Sequence, residues 1–544
     1  QIPCDLTIGN VQFFNVITGE IYPASVDILD GFVVLVREEG QEAILPSRSY
    51  YDGRGRYLIP GYIDTHMHIE STMMIPENLA RAILPWGTTT VCTDPHEIGN
   101  VMGLDGVRFM LENAKKSKLR QYVLAPSCVP SLPGMENAGA EFHAEEVGEL
   151  LDMDDVVGIA EIMDYVGVMH DSERMHTIID EGLRRGMFLQ GHAPYCSGRE
   201  LAAYLIGGPV SDHESVNADE VRGKLRAGMH INLRASSLID NLSFLVDGCK
   251  DQPWRDFVSV CTDDVHAKDL LTVGHINNVV RKAVASGLDG REVVKMATLN
   301  AAREYGFNDL GAIAPGYIAD IQLVDALDGS RPKAVFTEGV LVAEDGKYLG
   351  GDCKTADYDL PNTVNMPQIA GPESFVLRVP EGYTGDTIRV NVMVSEDGNR
   401  ILRHVEPVEL PVRDGAVDIS GDPTLVFVCC ANRYGRGGKT IAVYRDFGLE
   451  RGALASTVSH DSHNFTVSYH DPKDAFRAAE ILRACGGGVC VIDGAEETHI
   501  ALPAAGLMSQ KPCDEVADEI AAVQAALDAI SGGRLTLLAT AVMA

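Results

Sequence analysis

Residues 6–11, 25–29 and 32–36 alternate apolar with polar positions between breaks at Gly, Asp and Asn, the two-residue period of strands with one buried face. They predict a small antiparallel sheet over residues 5–58. From residue 60 the texture changes to short, almost wholly apolar runs, each followed by an amphipathic helical stretch. The runs are 61–66, 88–94, 122–127, 156–161, 187–192, 208–213, 230–235 and 257–264. Eight strand-then-helix units over residues 60–308 predict a (β/α)8 barrel, an architecture that carries its reactive residues at the C-terminal ends of the strands. Residues 316–325 and 334–347 return to the strand-and-hairpin pattern, with Asp345-Gly346 as a turn. Segments 1–59 and 309–348 are therefore expected to form one composite β-sandwich. Residues 349–373, rich in Asp, Gly, Pro and Asn, read as a linker. Beyond it, strands over 374–379 and 387–394 and a β-α-β grouping (464–468, helix 473–484, 489–493) predict a C-terminal α+β domain over 374–544. The chain has no internal repeat and no low-complexity tract.

Length and charge narrow the function. A chain of 544 residues exceeds one compact core and suits an enzyme of two or three domains. Apolar residues make up 45% and charged residues 23%, a composition that folds throughout. The formal net charge of -33 repels phosphate backbones and anionic bilayers, so nucleic acid and membrane partners are excluded in favour of a small molecule. The opening Gln1-Ile-Pro-Cys-Asp is not a basic-then-apolar leader, and a cytoplasmic location is expected. The 12 cysteines lack framework spacing, Cys429-Cys430 cannot form an ordinary disulfide, and Cys485 and Cys490 have no partners at zinc-finger spacing.

Candidate chemistry clusters at the strand ends. His66-Met67-His68 closes the first barrel strand, and residues two apart on a strand share a face, so both imidazoles can reach one cation. A lone His-x-His is more often two packed or surface histidines. Here Glu161 ends the fourth strand, His192 the fifth, His213 the sixth and Asp263 the eighth, and a barrel gathers those ends around one mouth. Buried imidazoles and carboxylates are costly unless paired, hydrogen-bonded or metal-bound. Glu161, in Gly158-Ile-Ala-Glu-Ile-Met-Asp164, has no neighbouring cation and suits a bridging carboxylate.

The motifs around these residues resemble the bacterial and archaeal adenine deaminases of the amidohydrolase superfamily. They are Pro60-Gly-Tyr-Ile-Asp-Thr-His-Met-His-Ile-Glu-Ser-Thr-Met-Met74, Gly87-Thr-Thr-Thr90, Thr93-Asp-Pro-His-Glu-Ile-Gly-Asn-Val101, Gly158-Ile-Ala-Glu-Ile-Met163 and Gly191-His-Ala-Pro194. Ser211-Asp-His-Glu-Ser215, Cys261-Thr-Asp-Asp264, Ala297-Thr-Leu-Asn-Ala-Ala302, Ser459-His-Asp-Ser-His-Asn464 and Gly506-Leu-Met-Ser509 continue the likeness, which thins between residues 350 and 450. The resemblance implies a barrel with a composite β-sandwich and an extra C-terminal domain, two divalent metal ions (Mn, Fe or Zn), a purine base as substrate and a homodimer or higher homo-oligomer. It also implies that Glu161 stands where many superfamily relatives use a carboxylated lysine.

On this reading His66, His68, Glu161, His192, His213 and Asp263 are the ligand set, and Asp263 takes the proton of the attacking hydroxide and passes it to the departing amine; the alternative for Asp263 is a plain ligand. Glu97 and Glu214 are further catalytic candidates. Glu70, Asp94, His96 and Asp264, beside the ligands, are offered as accessory-metal, ring-protonating or ligand-orienting groups, with helix N-capping the competing role for Asp94. Ser127 either touches substrate or starts a turn. His460 and His463 are either exposed loop residues or part of the site. The single-zinc deaminases use His-x-Glu with Pro-Cys-x-x-Cys; His68-Ile69-Glu70 fits the first half, and the second half is missing. Two rivals stay open: another amidohydrolase reaction on a cyclic amide or N-acyl substrate, and a metal-binding or peroxide-disproportionating protein.

Overall fold

The computed structural model describes residues 2–38, 40, 45–237, 239–351, 355–396 and 399–537. It divides into two compact units: Gln1–His96, Val107–Ser131 and Phe142–Lys354 form the first, and Glu97–Gly106, Leu132–Glu141 and Thr355–Ala544 the second.

The barrel strands lie in the first unit. They are β1 (Tyr62–Met67), β2 (Thr88–Thr93), β3 (Arg120–Ala125), β4 (Val156–Ile162), β5 (Phe188–Gly191), β6 (Ser211–Asp212), β7 (His230–Arg234) and β8 (Val258–Cys261). β1 to β5 form one parallel five-stranded sheet and β6 to β8 a parallel three-stranded one. Every residue of β1 and β2 is buried, as expected where helices cover the outside of a parallel sheet and side chains fill its interior. Backbone hydrogen bonds join the two sheets: Val210 N–H donates to Leu189 O at 3.0 Å on one side, and Asp263 N–H donates to His66 O at 2.9 Å on the other. The second seam thus runs through the predicted site.

A nine-stranded sheet completes the first unit. Its order is Lys347–Tyr348, Val340–Glu344, Ala334–Thr337, Ile321–Val324, Tyr57–Pro60, Cys4–Phe14, Ile21–Leu29 and Phe32–Glu38, with Ser47–Asp52 also paired to Cys4–Phe14. Strands from before and after the barrel therefore share one sheet. Phe14, Ile59 and Val324 join barrel residues such as Val258, Val279 and Val293 in one buried core.

The second unit holds another nine-stranded sheet and the helices Pro472–Cys485 and Cys513–Ser531. Phe465–Tyr469 and Gly488–Asp493 both pair antiparallel with Ala453–Ser456 between them, so the β-α-β grouping is split by an inserted strand. The strand expected over 374–379 is corrected. Pro372–Phe375 is a short 3-10 helix with proline in its first turn, and Arg378 makes only an isolated bridge to Ala416. Proline has no N–H for a ladder, and its fixed φ suits the start of a helical turn. Among the described residues no helix is long and apolar enough to cross a membrane.

Candidate metal centre

Strand geometry brings the six predicted ligands together. His66 and His68 flank the end of β1 on one face, and both Nε2 atoms face the same Asp263 oxygen, Oδ1, at 3.5 and 3.3 Å. Asp263 has left-handed backbone (φ 62°), which Asp tolerates better than most residues, and its peptide is held on both sides by the seam: its N–H by His66 O, and its carbonyl by His68 N–H at 3.4 Å. Glu161, near the end of β4, divides its oxygens. Oε1 lies 3.4 Å from His68 Nε2, while Oε2 lies 2.5 Å from His192 Nδ1 and 3.1 Å from His213 Nε2. The His66 and His213 rings stack at 3.9 Å between centroids.

The electrostatics follow from this crowding. Burial and then the neighbouring His66 ring hold the His213 imidazole down at about 4, so one of its ring nitrogens keeps a free lone pair at neutral pH. Burial alone would also depress His68, but hydrogen bonding to Asp263 and the charge of Glu161 raise it well above its ordinary value. Burial opposes ionisation of Glu161, yet His192, His213 and His66 hold it well below the carboxylate range. Burial likewise opposes ionisation of Asp263, which Arg234 and the paired histidines hold well below that range. Anionic carboxylates among imidazoles are the donor set that divalent transition metals require. His66 Nε2 is buried with no hydrogen-bond partner among the described residues, as a nitrogen reserved for a cation would be.

The remaining candidates fall into distinct places. Asp94 accepts at 3.0 Å from the N–H of His96, the first residue of the helix His96–Met102, and its other oxygen is 3.0 Å from His96 Nδ1. That same Nδ1 lies 3.4 Å from Glu161 Oε1, which puts His96 against the ligand group. Glu214 pairs with Arg234 and lies 3.8 Å from His213 Nε2. Asp264 accepts from the Ser71 hydroxyl at 2.5 Å. Ser127 donates its hydroxyl to the Glu161 carbonyl at 2.9 Å, which supports the end of β4. Glu70 is buried in the 3-10 turn Glu70–Thr72 that follows β1. In the second unit, Glu97 is buried with its oxygens 3.8 Å from His460 Nδ1 and 3.6 Å from His463 Nε2. His463 Nδ1 accepts from Ser459 N–H at 3.2 Å, which leaves the ring proton on Nε2, directed at Glu97.

Three supporting groups were not foreseen. Arg234, at the end of β7, donates to Asp263 Oδ2 at 2.7 Å. Gln190, on β5 and two residues before His192, lies 2.8 Å from His66 Nδ1. The buried Lys224 ammonium contacts Asp212 at 2.8 Å and the Ala193 carbonyl at 2.7 Å, so one cation ties together the segments carrying His213 and His192. A charged residue inside an apolar strand was the available signal for Arg234, and the two-residue period the signal for Gln190.

An eight-stranded parallel barrel with imidazoles and carboxylates at its strand ends is the frame of the metal-dependent amidohydrolases, and residues 57–347 match the amidohydrolase family. Residues 400–543 match the adenine deaminase C-terminal domain. The chain is 38% identical over 521 residues to adenine deaminase 2 of Carboxydothermus hydrogenoformans, covering 95% of this chain and 88% of that one. It is 40% identical over 514 residues to the adenine deaminase of Methanothermobacter thermautotrophicus, covering 94% and 89%. The chain belongs to the adenine deaminase family.

Proposed function

We infer that this protein hydrolyses adenine to hypoxanthine and ammonia with a two-metal centre. The observation that carries the reading is the division of the Glu161 oxygens between two groups of imidazoles, in a chain so similar to adenine deaminases along nearly its whole length. His66, His68 and Asp263 would hold one ion and His192 and His213 the other, with Glu161 shared; Mn, Fe and Zn all suit these ligands. When bound, such ions lower the pKa of a coordinated water to roughly 7, which makes a nucleophile available at neutral pH.

The chain's own residues supply the rest. Asp263 stays ionised because Arg234 neutralises it through Oδ2, and Oδ1 is left facing the histidines to accept a proton and return it to the departing amine. Glu214, held beside His213 by the same guanidinium, is the barrel's further acid–base candidate, able to donate to the ring only after it has taken up a proton from solvent or substrate. Glu97 is the candidate from the second unit, with His463 directing its Nε2–H at the carboxylate. Use in purine salvage and as a homo-oligomer belongs to the same reading through the family, and the cytoplasmic location is carried over from the sequence.

The test is to strip the protein of metal, restore Mn, Fe or Zn separately, and follow ammonia release from adenine beside ring opening of a dihydropyrimidine. Ammonia release that saturates near two metal equivalents is expected. Ring opening without ammonia release would transfer the protein to another amidohydrolase reaction.

A further inference from the structure

We propose that Gln190 is a positioning residue that locks His66 in its Nδ1–H tautomer and thereby sets the strength of the first metal position. The proposal rests on the reading of His66 as a ligand. Its basis is a hydrogen-bond network whose proton directions are forced. Tyr305, just after the helix Ala301–Glu304, donates its hydroxyl to the Thr65 carbonyl at 2.6 Å. With that proton committed, the Tyr305 oxygen is an acceptor toward Gln190, which lies 3.1 Å away. The Thr65 carbonyl also lies 3.1 Å from the amide, and a carbonyl only accepts. Both neighbours on that side thus demand the amide nitrogen, and turning the amide over would set oxygen against two oxygens.

Gln190 Oε1 must then be the atom 2.8 Å from His66 Nδ1. An amide oxygen only accepts, so Nδ1 carries the proton and the neutral ring keeps its lone pair on Nε2. That nitrogen is the one aimed at Asp263 Oδ1. Gln190 and Thr65 are fully buried, so solvent does not supply competing partners. The same side chain grips consecutive residues, the carbonyl of Thr65 and the ring of His66, and thus fixes backbone and side chain together. His68 reaches the same end differently: its Nδ1 lies 3.0 Å from the Asp94 carbonyl.

The experiment compares the metal-free wild type with Gln190→Leu, Gln190→Glu and His66→Ala, and titrates Mn2+ against a competing chelator. Gln190→Leu removes the acceptor and is expected to weaken the tighter or weaker of two Mn2+ steps, one only, by roughly 10–100-fold. At saturating Mn2+ its KM for adenine is expected to stay within about 2-fold of wild type, since such partners act on the metal ligands. Gln190→Glu keeps an acceptor toward Nδ1 but sets its second oxygen against the Thr65 carbonyl, so it is expected to recover part of the affinity lost in Gln190→Leu, which a merely packing role would not produce. In the metal-free wild type, long-range proton–nitrogen NMR of the His66 ring should show the Nδ1–H form; this measurement needs no variant to fold. An Nε2–H ring or wild-type affinity in Gln190→Leu would overturn the proposal. If His66→Ala itself leaves Mn2+ binding intact, the ligand reading fails instead.

Discussion

Arg234 donates to Asp263 Oδ2 at 2.7 Å and leaves Oδ1 of the same carboxylate toward His66 and His68. The guanidinium also pairs with Glu214, so one buried cation holds two of the acid–base candidates. A planar fork can serve two carboxylates in fixed directions, whereas an ammonium is a point charge on a flexible stem.

Replacing Arg234 with Met is therefore expected to lower kcat for adenine by about 10–100-fold at saturating metal, the usual cost of losing a group that orients a ligand. Arg234→Lys should fall between the two. Steady-state ammonia release decides it, and a Met variant with wild-type kcat would remove Arg234 from the mechanism.

Glu161→Gln keeps the size of the side chain and removes the charge shared between the two groups of imidazoles. Elemental analysis after dialysis against Mn2+ should find at least one ion lost and deamination abolished. Full metal content in this variant would show that Glu161 does not bridge.

Lys224→Met strands the buried Asp212 carboxylate and its second partner Glu220, 2.7 Å from the ammonium, and is expected to destabilise the first unit by about 3–5 kcal/mol, with part of that recovered in Asp212→Asn/Lys224→Met. In the wild type, burial opposes ionisation of Asp212 but Lys224 prevails and holds it at about 2, below its unfolded value of roughly 4. The pair's contribution is thus complete above pH ~4 and is lost as pH falls toward ~2. Without Lys224 the sign reverses, because burial then raises the carboxyl above its unfolded value. Denaturant melts across pH 4 to 8 should show the variant's deficit growing as pH rises, and a deficit independent of pH would refute the argument.

Glu97→Gln tests the second unit's part in the reaction. If this carboxyl protonates the ring, kcat falls by about 10²–10⁴-fold. His463→Ala, which removes the Nε2–H directed at Glu97, should lower kcat in the same direction. Unchanged turnover in both would confine the chemistry to the barrel.

That His66, His68, Glu161, His192, His213 and Asp263 would come together was legible because titratable residues at the ends of apolar strands stand out against the cost of burying them, and because His66 and His68 obey the two-residue period. Gln190 and Arg234 were not, since the partner of Gln190 lies on β1, 124 residues away, and that of Arg234 just past β8, and nothing local to β5 or β7 names those partners. Asp94 carried both of its readings in one motif, and the structure shows its two oxygens engaged by the backbone and the ring of His96 at the start of a helix. The eight barrel strands followed from apolar runs of strand length. The 374–379 segment misled because Phe375 and Val376 look strand-like while Pro372 sets a helical turn, and Phe375 is buried by the second unit's core rather than by a neighbouring strand's ladder.

The pairing of Tyr57–Pro60 with Ile321–Val324, residue against residue from Tyr57↔Val324 to Pro60↔Ile321, also has a bearing on biosynthesis. The strand that leads into the barrel meets this partner only after residue 324 has left the ribosome, so the sheet stays unfinished while the whole barrel sequence is being made. Contacts so distant along the chain form slowly, and an open edge invites pairing with other nascent chains. Premature termination anywhere before residue 321 would thus release a polypeptide with an uncapped strand, a natural substrate for chaperones and proteases.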